Sequence, residues 1–175
     1  MLSLERLETL AEQCRTLEES NREVDALVTL ATLARPTANP RIWTLIEKPS
    51  QPVCMTWDKQ FDEKLMARLR RSDDFEEQEV LHFKFDEGVW LHFVSRTVPE
   101  FTSDVSMGLQ YLPIIAPSFP KWKMDSSGFV TLWSEAHKEN IIFENTIPAI
   151  SMTGAILKAK IFELRDLNER DSVRD

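Results

Sequence analysis

The chain has 175 residues, with 21 Lys and Arg against 29 Asp and Glu and a formal net charge of −8 at pH 7. That length suits one domain, or one domain with an appendage, and is enough to bury a core. The acidic balance argues against general nucleic-acid binding, which relies on Lys and Arg at the phosphates; no run approaches a membrane span and no signal peptide is evident, so the expected location is cytoplasmic.

Residues 2–18 carry Leu4, Leu7, Leu10, Ala11, Cys14 and Leu17 at three- and four-residue steps, the spacing of an amphipathic helix. The stripe is narrow and close to a heptad seam. Two partners fit it: the chain's own second helix, or a second copy in a homo-oligomer. Cys14 lies on this stripe and is read as a core residue, and neither it nor Cys54 belongs to a paired motif. Ser20 and Glu23 form a capping box for the second helix. Val24, Leu27, Val28 and Ala31 then repeat with helical spacing until Pro36 closes it. Arg41 to Glu47 and Val53 to Trp57 are expected as short strands around a loop containing Pro49 and Pro52. Lys59 to Arg71 places Phe61, Leu65, Met66 and Leu69 on one helical side, capped by Asp58. The acidic run from Asp73 to Glu79 reads as a solvated helix end and linker.

Residues 79–95 carry the clearest signal. Leu81-His82-Phe83-Lys84-Phe85 and Val89-Trp90-Leu91-His92-Phe93 alternate with the period of a strand around Asp86-Glu87-Gly88. A three-residue loop with Gly88 left-handed sets Phe85 against Val89, Phe83 against Leu91 and Leu81 against Phe93, all on one apolar face. The other face then holds Lys84 opposite Trp90 and His82 opposite His92. A two-residue Glu-Gly turn would set His92 opposite Phe83 and mix the faces, so the longer loop is preferred.

Thr97 to Phe101 is expected to be extended, followed by a helix from Thr102 or Ser103 to Leu112 with Val105, Leu109 and Leu112 inward and Pro113 as its end. A second hairpin joins Phe119–Met124 to Phe129–Ser134, its register open between two loop lengths. Ile141 to Asn145 reads as one more strand. Pro148 suits the first turn of a last, deeply buried helix that runs to about Leu164, before a charged tail expected to fray. These elements predict an α+β fold: an antiparallel sheet layered between helices, an α–β–α sandwich, with an N-terminal helical hairpin. The expected divisions are a helical segment over 1–35, the sandwich over 36–165 and a disordered tail over 166–175.

Chemistry is sparse in the pattern. Four glycines form no phosphate cradle, and no nucleophile elbow, HExxH, CxxC or EF-hand loop occurs. His137, in the polar 134–139 turn, reads as a surface residue; an acid–base pair with Glu135 is the alternative. The expectation is no catalytic residue, no cofactor and no metal. A pair of histidines lacks the third ligand zinc needs, and Lys84 beside them disfavours a cation. Lys84 instead favours an anion, and aromatics beside cations suit stacking on a base with contact to phosphate. The candidate ligand-binding residues are therefore His82, Lys84, Trp90 and His92, with Lys121, Trp122 and Lys123 from the second hairpin.

Pro99-Glu100-Phe101-Thr102-Ser103-Asp104, the short helix to Leu112-Pro113, Lys121-Trp122-Lys123-Met124-Asp125 and the closing Thr146-Ile147-Pro148-Ala149 together resemble a group of small proteins of tailed phages and prophages described as a phage ABA-sandwich domain. Arg22-Glu23-Val24-Asp25-Ala26-Leu27 is similar to their opening helix. The chain departs from that pattern in its long 36–96 segment and in a closing helix less rich in alanine. The resemblance implies an α–β–α sandwich and a phage setting, hence the host cytoplasm, and it supplies no catalytic residues to carry over. The functional expectation is a non-catalytic phage accessory protein with an anti-defence role, sequestering a nucleotide second messenger of the host. The alternative is an inhibitor or adaptor of a host defence protein, acting through its acidic surface or first helix.

Overall fold

Four α-helices and eight strands form among the residues that the computed structural model describes, 3–50, 52–57 and 80–172. In chain order they are α1 (Leu4–Thr16), α2 (Arg22–Thr32), β1 (Ala34–Pro36), β2 (Ile42–Leu45), β3 (Pro52–Trp57), β4 (Val80–Asp86), β5 (Val89–Val94), α3 (Val105–Ile115), β6 (Lys121–Met124), β7 (Val130–Ser134), β8 (Glu139–Phe143) and α4 (Pro148–Ser172). The fold is α+β with antiparallel sheets and an N-terminal helical pair. There are two sheets rather than one, in two compact units: Met1–Thr32 with Glu100–Asp175, and Leu33–Pro99. The first helices thus belong with the C-terminal part of the chain. The helix expected over Lys59 to Arg71 and the acidic run after it lie outside the described residues. No helix among the described residues is long and apolar enough to cross a membrane.

The first unit is built on α4. Its positions from Ala149 to Ile161 are almost all buried, and α1, α3, β7 and β8 pack against it. A helix apolar around most of its circumference is stable only when surrounded in this way. α1 turns Leu7, Leu10, Ala11 and Cys14 inward, and its main partner is α4, not α2. A 13-residue helix is marginal alone. Burying Leu7 and Leu10 contributes on the order of 3–6 kcal/mol at most, enough to hold it in place. The stripe read as a dimer seam is therefore occupied within this unit. Close approach to α4 also depends on two missing side chains. A Cβ on Gly154 would lie 2.3 Å from the Phe143 ring, and one on Gly108 would lie 2.5 Å from Met152 Cγ.

Several boundaries differ from the expected ones, each for a local reason. Asn21, not Ser20, caps α2: its Oδ1 accepts from the amides of Glu23 at 3.0 Å and Val24 at 3.1 Å. The Asn21 amide donates to Thr102 Oγ1 at 2.8 Å, so a tertiary bond selects the cap. α2 stops at Thr32 because Pro36 biases Arg35 to extended backbone and β1 pairs with β2. Ser95–Thr97 is a single 3-10 turn between β5 and the stretch expected to be extended, which it overlaps only at Thr97. α3 starts after Asp104, whose Oδ1 accepts from the Ser106 amide at 2.8 Å. It passes through Pro113 to Ile115, and its buried face is Gly108, Leu112 and Ile115, with Val105 and Leu109 only half-buried. Burial of Leu112 and Ile115 outweighs the hydrogen bond that Pro113 removes. α4 continues to Ser172, past the expected end near Leu164 and through most of the charged segment.

The β8–α4 junction is fastened by Asn145, a buried residue. Its Nδ2 donates to the Cys14 and Leu17 carbonyls, each at 2.9 Å, satisfying groups that the end of α1 leaves open. Its Oδ1 accepts from the Ile147 amide at 2.8 Å, and its carbonyl accepts from Ser151 Oγ at 3.0 Å. One side chain thus ties the C-terminus of α1 to the N-terminus of α4.

The second unit is a five-stranded antiparallel sheet in the order β1-β2-β3-β5-β4. Its β4–β5 ladder pairs Leu81 with Phe93, His82 with His92, Phe83 with Leu91 and Lys84 with Trp90, the expected register. The closing pair is Asp86 with Val89, with the irregularity between Lys84 and Asp86, so Phe85 is the extra residue and does not face Val89. Gly88 has φ of +76° and supplies the left-handed residue. Of the six apolar residues expected in the core, only Leu91 and Phe93 are fully buried. Leu81, Phe83, Phe85 and Val89 are half-buried, since β4 is an edge and Val89 adjoins the turn.

Candidate functional site

Four of the seven candidate residues meet on one face of the β4–β5 hairpin. Lys84 faces Trp90, and one pair further along the ladder His82 faces His92. The imidazoles stack with centroids 6.2 Å apart and planes 16° from parallel. Lys84 and His82 are exposed and Trp90 is half-buried. His92, however, is only 2% exposed. β5 is an inner strand, so His92 has Met55 of β3 on one side and His82 on the other. The pair is thus one accessible imidazole lying against a buried one. Cys54, also on β3, faces Phe93; burial pushes its thiol well above the usual range, the His92 backbone amide opposing.

Lys121, Trp122 and Lys123 do not converge. They are consecutive on β6, so Trp122 projects to the face opposite the two lysines. Trp122 is 44% exposed and pairs across the ladder with Leu132. Lys121 instead faces Trp133, and Lys123 faces Thr131. Ile142, across from Thr131, extends this outer face and is 58% exposed. Lys121 also forms an ion pair with Glu135, which holds the Glu135 carboxyl below its usual range. Trp133 is therefore the aromatic that accompanies Lys121. Strand alternation across the second hairpin carried that signal, and proximity in sequence obscured it. The seven residues fall into two groups in separate units.

Three other titratable groups are placed by packing. Asp25 is fully buried; its Oδ1 accepts from the Thr102 amide at 2.7 Å and its Oδ2 from Arg22 at 2.9 Å. Burial pushes its carboxyl up, while Thr102 and Arg22 pull it down. Burial and the nearby Asp25 push the Cys14 thiol up to about 12, so it is an inert core group. His137 is not a plain surface residue. Its ring lies against Phe119 and meets the edge of Phe162, with centroids 6.4 and 5.3 Å away. Its Nδ1 is 3.9 Å from Asp166 Oδ2, while Glu135 is engaged with Lys121.

Among the described residues no group of three or more His, Cys, Asp or Glu converges to hold a metal ion. The arrangement at Lys84, Trp90 and His82 offers a cation, an aromatic surface and an imidazole, which suits a flat anionic ligand. Comparison of the chain with family models, curated proteins and solved structures finds no match.

Proposed function

We propose that this chain is a non-catalytic phage accessory protein that acts by binding, sequestering a nucleotide signal in the host cytoplasm. The observation that carries the reading is the direct pairing of Lys84 with Trp90, with His82 on the same face. Lys84 and His82 supply contacts to phosphate oxygens, and Trp90 supplies a surface on which a base stacks. The resemblance to phage proteins is the reason to seek the ligand among host signals.

A thermal-shift screen of the full chain against cyclic and linear nucleotides tests this. A ligand present at 100 times its Kd adds about 2.7 kcal/mol of stability, a shift of several degrees at this size. The shift is expected to shrink in His82→Ala and Lys84→Ala, both at exposed positions that leave the core intact. No shift with any nucleotide, or an undiminished shift in both variants, rejects the reading.

A further inference from the structure

A cavity of about 340 Å³ opens in the first unit between α1, β8 and α4. It is near the lower end of the ~300–1,000 Å³ range of small-molecule sites. Ala11, Ile141, Ile161 and Phe162 give it an apolar wall, and Glu8, Glu12, Lys158 and Arg165 stand around it. Both carboxylates are already matched: Glu8 pairs with Arg165, and Glu12 with Arg15 at 3.1 Å. Lys158 is the remaining cation, and among the described residues it forms no ion pair with a carboxylate. Its Nζ lies 5.5 Å from the centre of the Phe143 ring, and the Arg15 guanidinium lies 5.2 Å from the same centre. Two cations therefore approach the Phe143 ring, and one of them, Lys158, also lines the cavity. Burial and Arg15 lower the Lys158 pKa, with Glu12 opposing.

We propose that this cavity binds a small amphipathic carboxylate, its alkyl or aryl body against Ala11, Ile141, Ile161 and Phe162 and its carboxylate on Lys158. A neutral ligand of the same shape would fill the apolar wall but leave the ammonium unmatched. A cationic one would add a third positive charge beside Lys158 and Arg15. The chemistry is that of a single charge-assisted hydrogen bond above a hydrophobic contact. It is independent of the nucleotide reading and uses none of its residues.

Titration calorimetry of the full chain with octanoate, octanol and octylammonium tests it. Octanoate is expected to bind at least about tenfold tighter than octanol, the worth of one hydrogen bond to a charged group, and octylammonium weakest. Lys158→Met keeps most of the stem and removes the charge; it should bind octanol as before and lose the preference for octanoate, while Lys158→Arg keeps it. Lys84→Ala should leave all three affinities unchanged. Octanoate binding no tighter than octanol, absent octanoate binding at millimolar concentration, or a preference that survives in Lys158→Met overturns the proposal. If Lys158→Met melts earlier than the parent, the three-ligand series on the unaltered chain decides.

Discussion

Both hairpins carry a lysine beside a tryptophan, but they place the two side chains differently. In β4–β5, Lys84 and Trp90 come from different strands and face each other, so they share a surface. In β6–β7, Lys121, Trp122 and Lys123 follow one another along one strand, so the tryptophan and the lysines point to opposite faces. The two also differ in depth. β5 lies between β3 and β4, and its Leu91, His92, Phe93 and Val94 are all buried. β6 is an edge strand whose first three residues are exposed. The contrast teaches that a binding surface on a sheet is assembled across the ladder, and that its accessibility depends on strand order.

The largest expected effect contrasts the depth of the two. Phe93→Ala should cost about 3–5 kcal/mol in urea denaturation, because a fully buried ring leaves a cavity. Trp122→Ala should change stability by about 1 kcal/mol or less, as expected for a side chain with half its surface in water. Equal losses would break the comparison. The turns give the next contrast. Gly88 and Gly128 both have positive φ, so alanine at either site costs about 1–2 kcal/mol of backbone strain. A Cβ at Gly88 meets open space, whereas one at Gly128 would lie 2.8 Å from the Asn145 carbonyl oxygen. Gly128→Ala should therefore be the more destabilising, by roughly 1 kcal/mol or more, and a melting comparison of the two variants would show it.

A smaller effect concerns the unit that carries the second hairpin. The Asp25 carboxyl is raised in the folded chain, so its favourable contribution is complete below the unfolded value of about 3.9 and is lost as pH rises through the raised value. Melting followed across that range should fall more with pH in the parent than in Asp25→Asn, and parallel slopes would contradict the assignment. The smallest effect is a null one common to both units. Cys14 and Cys54 are buried with raised pKa values. A colourimetric thiol reagent at pH 8 should label neither until the chain unfolds; rapid labelling of the native protein would show that one of them is accessible.

The β4–β5 register was legible because one apolar face penalises any slip by a residue. The helices were legible where an apolar stripe has one period, as in α1 and α2, and where a proline marks the first turn, as Pro148 does in α4. Other features were not. Serine and asparagine both serve as N-caps, and it took the bond between the Asn21 amide and Thr102 to choose the second. Pro113 is a helix-ending signal locally, yet burial of Ile115 carries α3 past it. The pairing of Lys121 with Trp133 needed the second hairpin's register, and its loop left two lengths open. The cavity at Lys158 was hidden because one of its walls comes from α1, far in the chain from the β8 and α4 residues that complete it.

By itself, then, the sequence determined the local periods: which stretches alternate, which form stripes, and that Lys84, Trp90, His82 and His92 share a face. Those follow from steric rules acting within a strand or across one tight turn. Only the tertiary structure decided that His92 is buried while His82 is exposed, that α1 packs on α4, and that Lys158, which forms no ion pair with a carboxylate among the described residues, stands beside a cavity with an apolar wall. Burial and charge pairing are set by which distant segments are brought together, and no local pattern encodes that.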